Sequence, residues 1–362
     1  MGVATFLSKC LEMGCSFVIP SSLNSRRFCQ RNLSDKVRQI PRGRLVPRSE
    51  GPFRVKGTLA AVLLLAFTGV PGTRLDGAGP APPLELRFIE AGDGSFRFDT
   101  GILKGRARAG DDSKGLSEVT HLPTGQRIDG SVGLLTYYRV FTTGTRYGDG
   151  ARKRASQARV LDDGALEVHW PAAADWPLEL RAVYRWVTPA VVEVETAVRA
   201  GRELPNFEVF LSSYFDEAFP AAHVYVKRGG GLPPDFVSAE PEAGVWQMFP
   251  RDDAVVGMIR DGRWAVPPSP VEWAIRPHIA APIVYRAHAE MALLAVLMSE
   301  PEGCYAVSAP HRGEKHFSAY FSLFGRDLKA GEIARTRSRL AIATEPETPR
   351  ILRSWREFQG GR

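Results

Sequence analysis

At 362 residues, 44% hydrophobic and 24% charged, the chain is long enough and apolar enough to bury a sizeable core, which excludes a disordered or low-complexity protein. Its formal net charge of +7 is local: residues 1–56 hold eleven of the 47 basic residues against three of the 40 acidic ones, a balance of +8, and the remainder carries 36 basic against 37 acidic, or −1. That basic segment precedes an export signal, and a DNA-binding arm has no use outside the cytoplasm, so nucleic acid is not an expected partner.

Residues 1–54 read as a basic extension, a translated upstream region with synthesis starting at Val55; the alternative is a disordered basic arm. Residues 55–83 read as a signal peptide and linker. In "VKGTLAAVLLLAFTGVPG", Lys56 is followed by an uncharged stretch to Thr73, and its apolar centre, Leu59 to Phe67, falls short of the roughly 20 residues that span a bilayer. It suits the ~7–15 apolar residues of a cleaved signal. The expectation is an exported protein, periplasmic or extracellular, with no stable membrane span after cleavage. Cys10, Cys15 and Cys29 lie upstream and Cys304 alone downstream, so the exported body cannot form an intramolecular disulfide.

From residue 84 to 344 the pattern is strand after strand. "ARVLDDGALEVHW" sets Asp163-Gly164 between two alternating arms, the signature of a tight hairpin. "LELRAVYRWVTPAVVEVETAVRA" places Leu178, Leu180, Ala182, Tyr184 and Trp186 on one face and Glu179, Arg181 and Arg185 on the other, then resumes with Val192, Val194, Thr196 and Val198 after a Thr188-Pro189 break. Further strands are expected at "SFRFDTG", "GLLTYYRVFTT", "NFEVFLSSYF", "HVYVKR", "AVVGMIRDGRW", "MALLAVLMS", "CYAVSAP", "HFSAYFSLFG" and "ARTRSRLAIAT". Only the tail, residues 345–362, carries a helical pattern in "TPRILRSWREFQ", with Pro349 in its first turn. The fold class is mainly β: a large antiparallel β-sandwich with a short C-terminal helix.

The strand order, the size and the closing segment "FGRDLKAGEIARTRSRLAI" resemble the galactose mutarotase-like supersandwich of aldose epimerases and of domains in polysaccharide-active enzymes, and exported bacterial proteins of that fold. The resemblance covers roughly Leu84 to Thr344. It implies the fold but not the epimerase chemistry: the family's asparagine-containing His motif is absent, the only asparagines being Asn24, Asn32 and Asn206. No His and Glu pair can be carried over as the acid and base that mutarotation needs.

Three local groups are candidates. In "APHRGEKHF", His311, Glu314 and His316 surround a glycine, so a turn could gather imidazoles and a carboxylate for acid–base work on a sugar; a solvated hairpin end or a metal site would use the same letters, though no trusted metal motif matches. "LLTYYRVFTTGTRYGDG" supplies Tyr137, Tyr138, Arg139, Arg146 and Tyr147. Their rings suit the C–H face of a pyranose and their guanidinium groups a carboxylate, as on an acidic sugar, unless they are the core and edge residues of an ordinary strand. Polysaccharide lyases of related fold also use Tyr, His and Arg beside a uronate. "SSYFDEAFP" and "GVWQMFPRDD" add Tyr214, Asp216, Glu217, Trp246, Gln247, Arg251, Asp252 and Asp253 for sugar hydroxyls or calcium, or as solvated turns.

No G-x-S-x-G elbow or phosphate loop is present, and no cofactor is implied. The expected function is recognition of a carbohydrate or polysaccharide, with sugar modification open. The alternatives are a non-catalytic cell-envelope module and a lyase or hydrolase acting on an acidic polysaccharide. A carbohydrate protein should gather several of Tyr138, Arg146, Trp246, Arg251, His311 and His316 in one cleft; a scaffold should scatter them.

Overall fold

The period-2 run from Leu178 to Ala200 folds as a long hairpin. Strands Leu178–Thr188 and Val191–Ala200 pair antiparallel with Tyr184 opposite Val194, and their apolar faces are buried while Glu179, Arg181 and Arg185 stay out. Extending from this hairpin is a nine-stranded sheet. On one side lie Leu166–Trp170 and Gln157–Val160, joined by the expected Asp163-Gly164 turn. On the other lie Ile333–Ala343, Leu294–Ser299, Ile279–Ala287, Ala221–Val226 and Asp235–Ser238, all antiparallel.

This is a computed structural model, and it describes residues 85–311, 316–345 and 347–361. The segments expected to be a basic extension and a signal peptide with its linker, and Glu314, lie outside the described residues. No helix among the described residues is long and apolar enough to cross a membrane.

A seven-stranded sheet runs Ala274–Ile275, Gln247–Pro250, Cys304–Ser308, Ser318–Leu328, Leu204–Tyr214, Thr136–Thr142 and Thr145–Arg146. Its pairs are antiparallel except Gln247–Pro250 with Ala274–Ile275. One of its faces contributes Val140, Val209, Leu211, Phe321 and Leu323 to a core shared with Leu180, Tyr184, Val192, Val194 and Leu340 of the nine-stranded sheet. Buried phenols need a partner for their hydroxyls: Tyr137 Oη meets Thr196 Oγ1 at 2.6 Å, and Tyr184 Oη donates to the Leu135 carbonyl at 2.8 Å. A five-stranded sheet from Ile89 to Arg127 adds Phe96, Phe98 and Val119 to the same core. Helix Thr348–Gly360 buries Ile351, Trp355 and Phe358, one helical stripe, against Ile283, Leu294, Val296 and Met298 on the outer face of the nine-stranded sheet.

The expectation of a strand at "AVVGMIRDGRW" is overturned. Asp253–Ile259 is a helix and Arg263–Ala265 a single 3₁₀ turn. The Asp252 carboxylate caps the helix by accepting the Val255 N–H at 3.1 Å. Val255 and Ile259, one turn apart, then bury together beside Trp264. This excursion, residues 251–273, covers the outer face of the seven-stranded sheet, packing on Phe141, Phe210, Tyr305 and Tyr320.

Candidate functional site

The site begins with a fault in a strand. Val209 pairs with Val140 and Leu211 with Tyr137, so Tyr138 and Arg139 together oppose the single residue Phe210. Two residues against one is a β-bulge, and it turns two successive side chains toward the same face. Tyr137 therefore enters the sandwich core, edge to face with Trp170 at 5.3 Å, whereas both Tyr138 and Arg139 line a cleft on the outer face. Gly150 holds the neighbouring turn against this strand at φ 139°, where a Cβ would collide with the Tyr138 carbonyl oxygen. The close approach brings Arg152 over the Tyr138 ring, 5.4 Å from its centroid.

The cleft encloses about 420 Å³. Its floor is Tyr138, Arg139, Phe210, Tyr214 and Tyr320 of the sheet; Trp246 and His316 close one end, and Trp264, Ser269, Pro270, Val271 and Trp273 of the excursion form the wall. Phe210 stacks on Tyr320 at 4.6 Å, Trp264 meets Trp273 edge-on at 5.1 Å, and His316 packs on Trp246 at 5.0 Å and Tyr214 at 6.2 Å. The indole Nε1 atoms of Trp264 and Trp273 are buried without a hydrogen-bond partner. Burial pushes the Tyr214 phenol up, with a hydrogen bond to Tyr320 and the charges of Arg152 and Arg139 pulling the other way, so its hydroxyl keeps its proton.

The wall is anchored by charge. Arg263, fully buried, donates from Nη1 to Glu208 Oε2 at 3.1 Å and to the Asn206 carbonyl at 3.0 Å, and from Nη2 to Asp261 at 2.8 Å. Arg139 Nη2 donates to the Ser269 carbonyl at 2.7 Å, and Arg146 holds the same turn through the Val266 and Pro268 carbonyls.

Of the residues singled out in the sequence, Tyr138, Arg139, Tyr214, Trp246 and His316 meet in this cleft. The others lie elsewhere. Arg146 supports the wall from behind, and Tyr147 is buried against Trp176. Asp216 shapes a turn by accepting the Ala218 N–H at 3.0 Å, and the adjacent Glu217 is exposed. Arg251 pairs with the helix-capping Asp252 at 3.1 Å. His311 donates from Nδ1 to the Ala239 carbonyl at 3.1 Å and lines a separate hollow with Pro220, Ala221 and Ser238. Sequence reading missed Phe210, Trp264, Ser269, Trp273 and Tyr320 as site residues; the tryptophans stood in or beyond a supposed strand. Among the described residues no group of three or more His, Cys, Asp or Glu is placed to hold a metal ion.

No protein-family model and no curated protein matches the chain. Its structural neighbours are galactose mutarotase-like proteins and aldose epimerase homologues at low sequence identity. The Slr1438 protein from Synechocystis sp. PCC 6803 is 13% identical, with 74% of this chain and 99% of that one covered and a TM-score of 0.43. A galactose mutarotase related enzyme from Lactobacillus acidophilus is 10% identical, with 70% and 99% covered and a TM-score of 0.42. An aldose epimerase homologue from C. elegans is 7% identical, with 72% and 97% covered and a TM-score of 0.36.

Proposed function

We propose that this is an exported protein that recognises carbohydrate through the aromatic cleft. The observation that carries the reading is the cleft's chemistry: Tyr138, Trp246, Trp264 and Trp273 line it with aromatic faces for the C–H side of a pyranose, and Arg139 and Tyr214 add polar groups to the same lining. Three of the six residues expected to converge do so, namely Tyr138, Trp246 and His316, and the excursion supplies the rest of the lining.

Sugar modification is the second reading, favoured by the packing of the His316 and Tyr214 rings, 6.2 Å between centroids, which sets an imidazole and a phenol together in the cleft. The test of recognition is a glycan-array screen followed by tryptophan fluorescence titration. Saturable quenching by a sugar, reduced at least tenfold in affinity by Trp273→Ala, is expected; no response to any glycan by a folded protein would sink the reading in favour of the envelope module. Modification is read on the same panel by polarimetry and by absorbance of unsaturated products, and should vanish in Tyr214→Phe with binding retained.

A further inference from the structure

The two arginines flanking this region differ in what they have left to give. Arg146 distributes its guanidinium over the carbonyls of Gly148, Asp149, Val266 and Pro268. Arg139 is 4% exposed and donates only through Nη2; its Nε and Nη1 are buried without a partner, and among the described residues it has no ion pair. Its charge lies against the Tyr138 ring at 5.3 Å and the Trp264 ring at 5.1 Å. Aromatic faces offset part of the cost of burying a cation, but they supply no counter-charge.

The surroundings add cations. Arg152 also lies over the Tyr138 ring, at 5.4 Å, and shares its carboxylate, Asp112, with Lys153, which holds the shorter contact of 2.7 Å against 3.4 Å. Arg146 feels both burial and the charge of Arg139, which lower its proton affinity. The end of the cleft at Tyr138 thus holds more positive charge than the fold neutralises, beside a guanidinium with unused donors.

Resting on the carbohydrate reading of this cleft, we propose that its ligand is an acidic sugar, whose anionic oxygen substituent, a carboxylate or a sulfate ester, is held by Arg139 while the ring lies against Tyr138, Trp264 and Trp273. Guanidinium is suited to this because its planar donors match the oxygens of either group. The neutral counterpart of the same sugar would leave the cation uncompensated and bind more weakly.

The test is tryptophan fluorescence titration of the full chain with glucuronate, galacturonate and mannuronate oligomers, each beside its methyl ester, and with sulfated oligosaccharides beside their desulfated parents. At low salt an acid or sulfate should bind at least tenfold tighter than its neutral partner, with the preference shrinking as salt rises. Arg139→Gln should abolish the preference, and Arg139→Lys should restore part of it. Equal binding of charged and neutral partners overturns the proposal and leaves carbohydrate recognition standing; no binding by any member overturns both. The charged–neutral comparison uses the unaltered chain, so it decides the matter even if Arg139→Gln fails to fold.

Discussion

Arg286 and Arg139 are both buried cations without a carboxylate partner, and the protein treats them in opposite ways. Arg286, on strand Ile279–Ala287, is fully buried, and its guanidinium donates to the carbonyls of Ser318, Phe219, Pro220 and Pro310 at 2.8–3.1 Å. It ties together the chain segments that lead into the cleft's sheet. Every nitrogen is used. Arg139, in the cleft wall's shadow, leaves two of its three nitrogens without partners. Arg286 is spent on holding the fold, whereas Arg139 lines the cleft with donors that the fold does not use.

Replacing each arginine tests that contrast. Arg286→Met should cost about 3–5 kcal/mol in urea unfolding, because several buried carbonyls lose their donor at once; a loss below 1 kcal/mol would show that Arg286 is not the clamp it looks like. Glu208→Gln, which removes the charge facing Arg263 under the excursion, should cost about 1.5–3 kcal/mol and weaken ligand binding together with stability, since the wall of the cleft is anchored there. Arg139→Gln should change stability by no more than about 1 kcal/mol in either direction, while losing the preference for anionic ligands. A large stability loss in that variant would erase the distinction between the two arginines.

Two smaller effects probe the sandwich away from the cleft. Burial lowers the pKa of His121 and of His223 below 6.5, with Arg286 adding to the effect on His223. In the unfolded chain these imidazoles gain protons that the folded protein resists. Stability therefore stays full above pH 6.5 and falls as the pH drops below it, and the acid limb of a pH–stability curve should flatten in His223→Phe. Cys304 is buried, and burial pushes its thiol up to about 12, so a thiol reagent should label it only on unfolding.

The sequence was most legible where side-chain period alone decides structure. The hairpin from Leu178 to Ala200 and the helix from Thr348 are where alternation and an i, i+4, i+7 stripe place them, because each apolar face needs only one surface to cover it. Legibility failed where a partner strand or a cap overrides the pattern. Ile279–Ala287 carries Pro282 inside a strand, which reads as a break; the pairing with Ala221–Val226 absorbs it by an irregular register between Val224 opposite Val284 and Val226 opposite Ile279. The Val255-Val256 pair looked like β-structure until Asp252 capped a helix.

By itself the sequence determined the mainly β, antiparallel architecture, since periodicity and turn chemistry are local. It could not choose between Arg139 and Arg146, nor put Tyr138 and Arg139 on one face. Strict alternation sends successive residues to opposite sides, and only pairing with Leu204–Tyr214 creates the bulge opposite Phe210. The wall was likewise invisible, because Trp264 and Trp273 reach Phe210 and Tyr138's neighbourhood only after the excursion folds back and Arg263 fastens it to Glu208. Which buried donors remain unspent depends on every contact around them, and that is a property of tertiary structure alone.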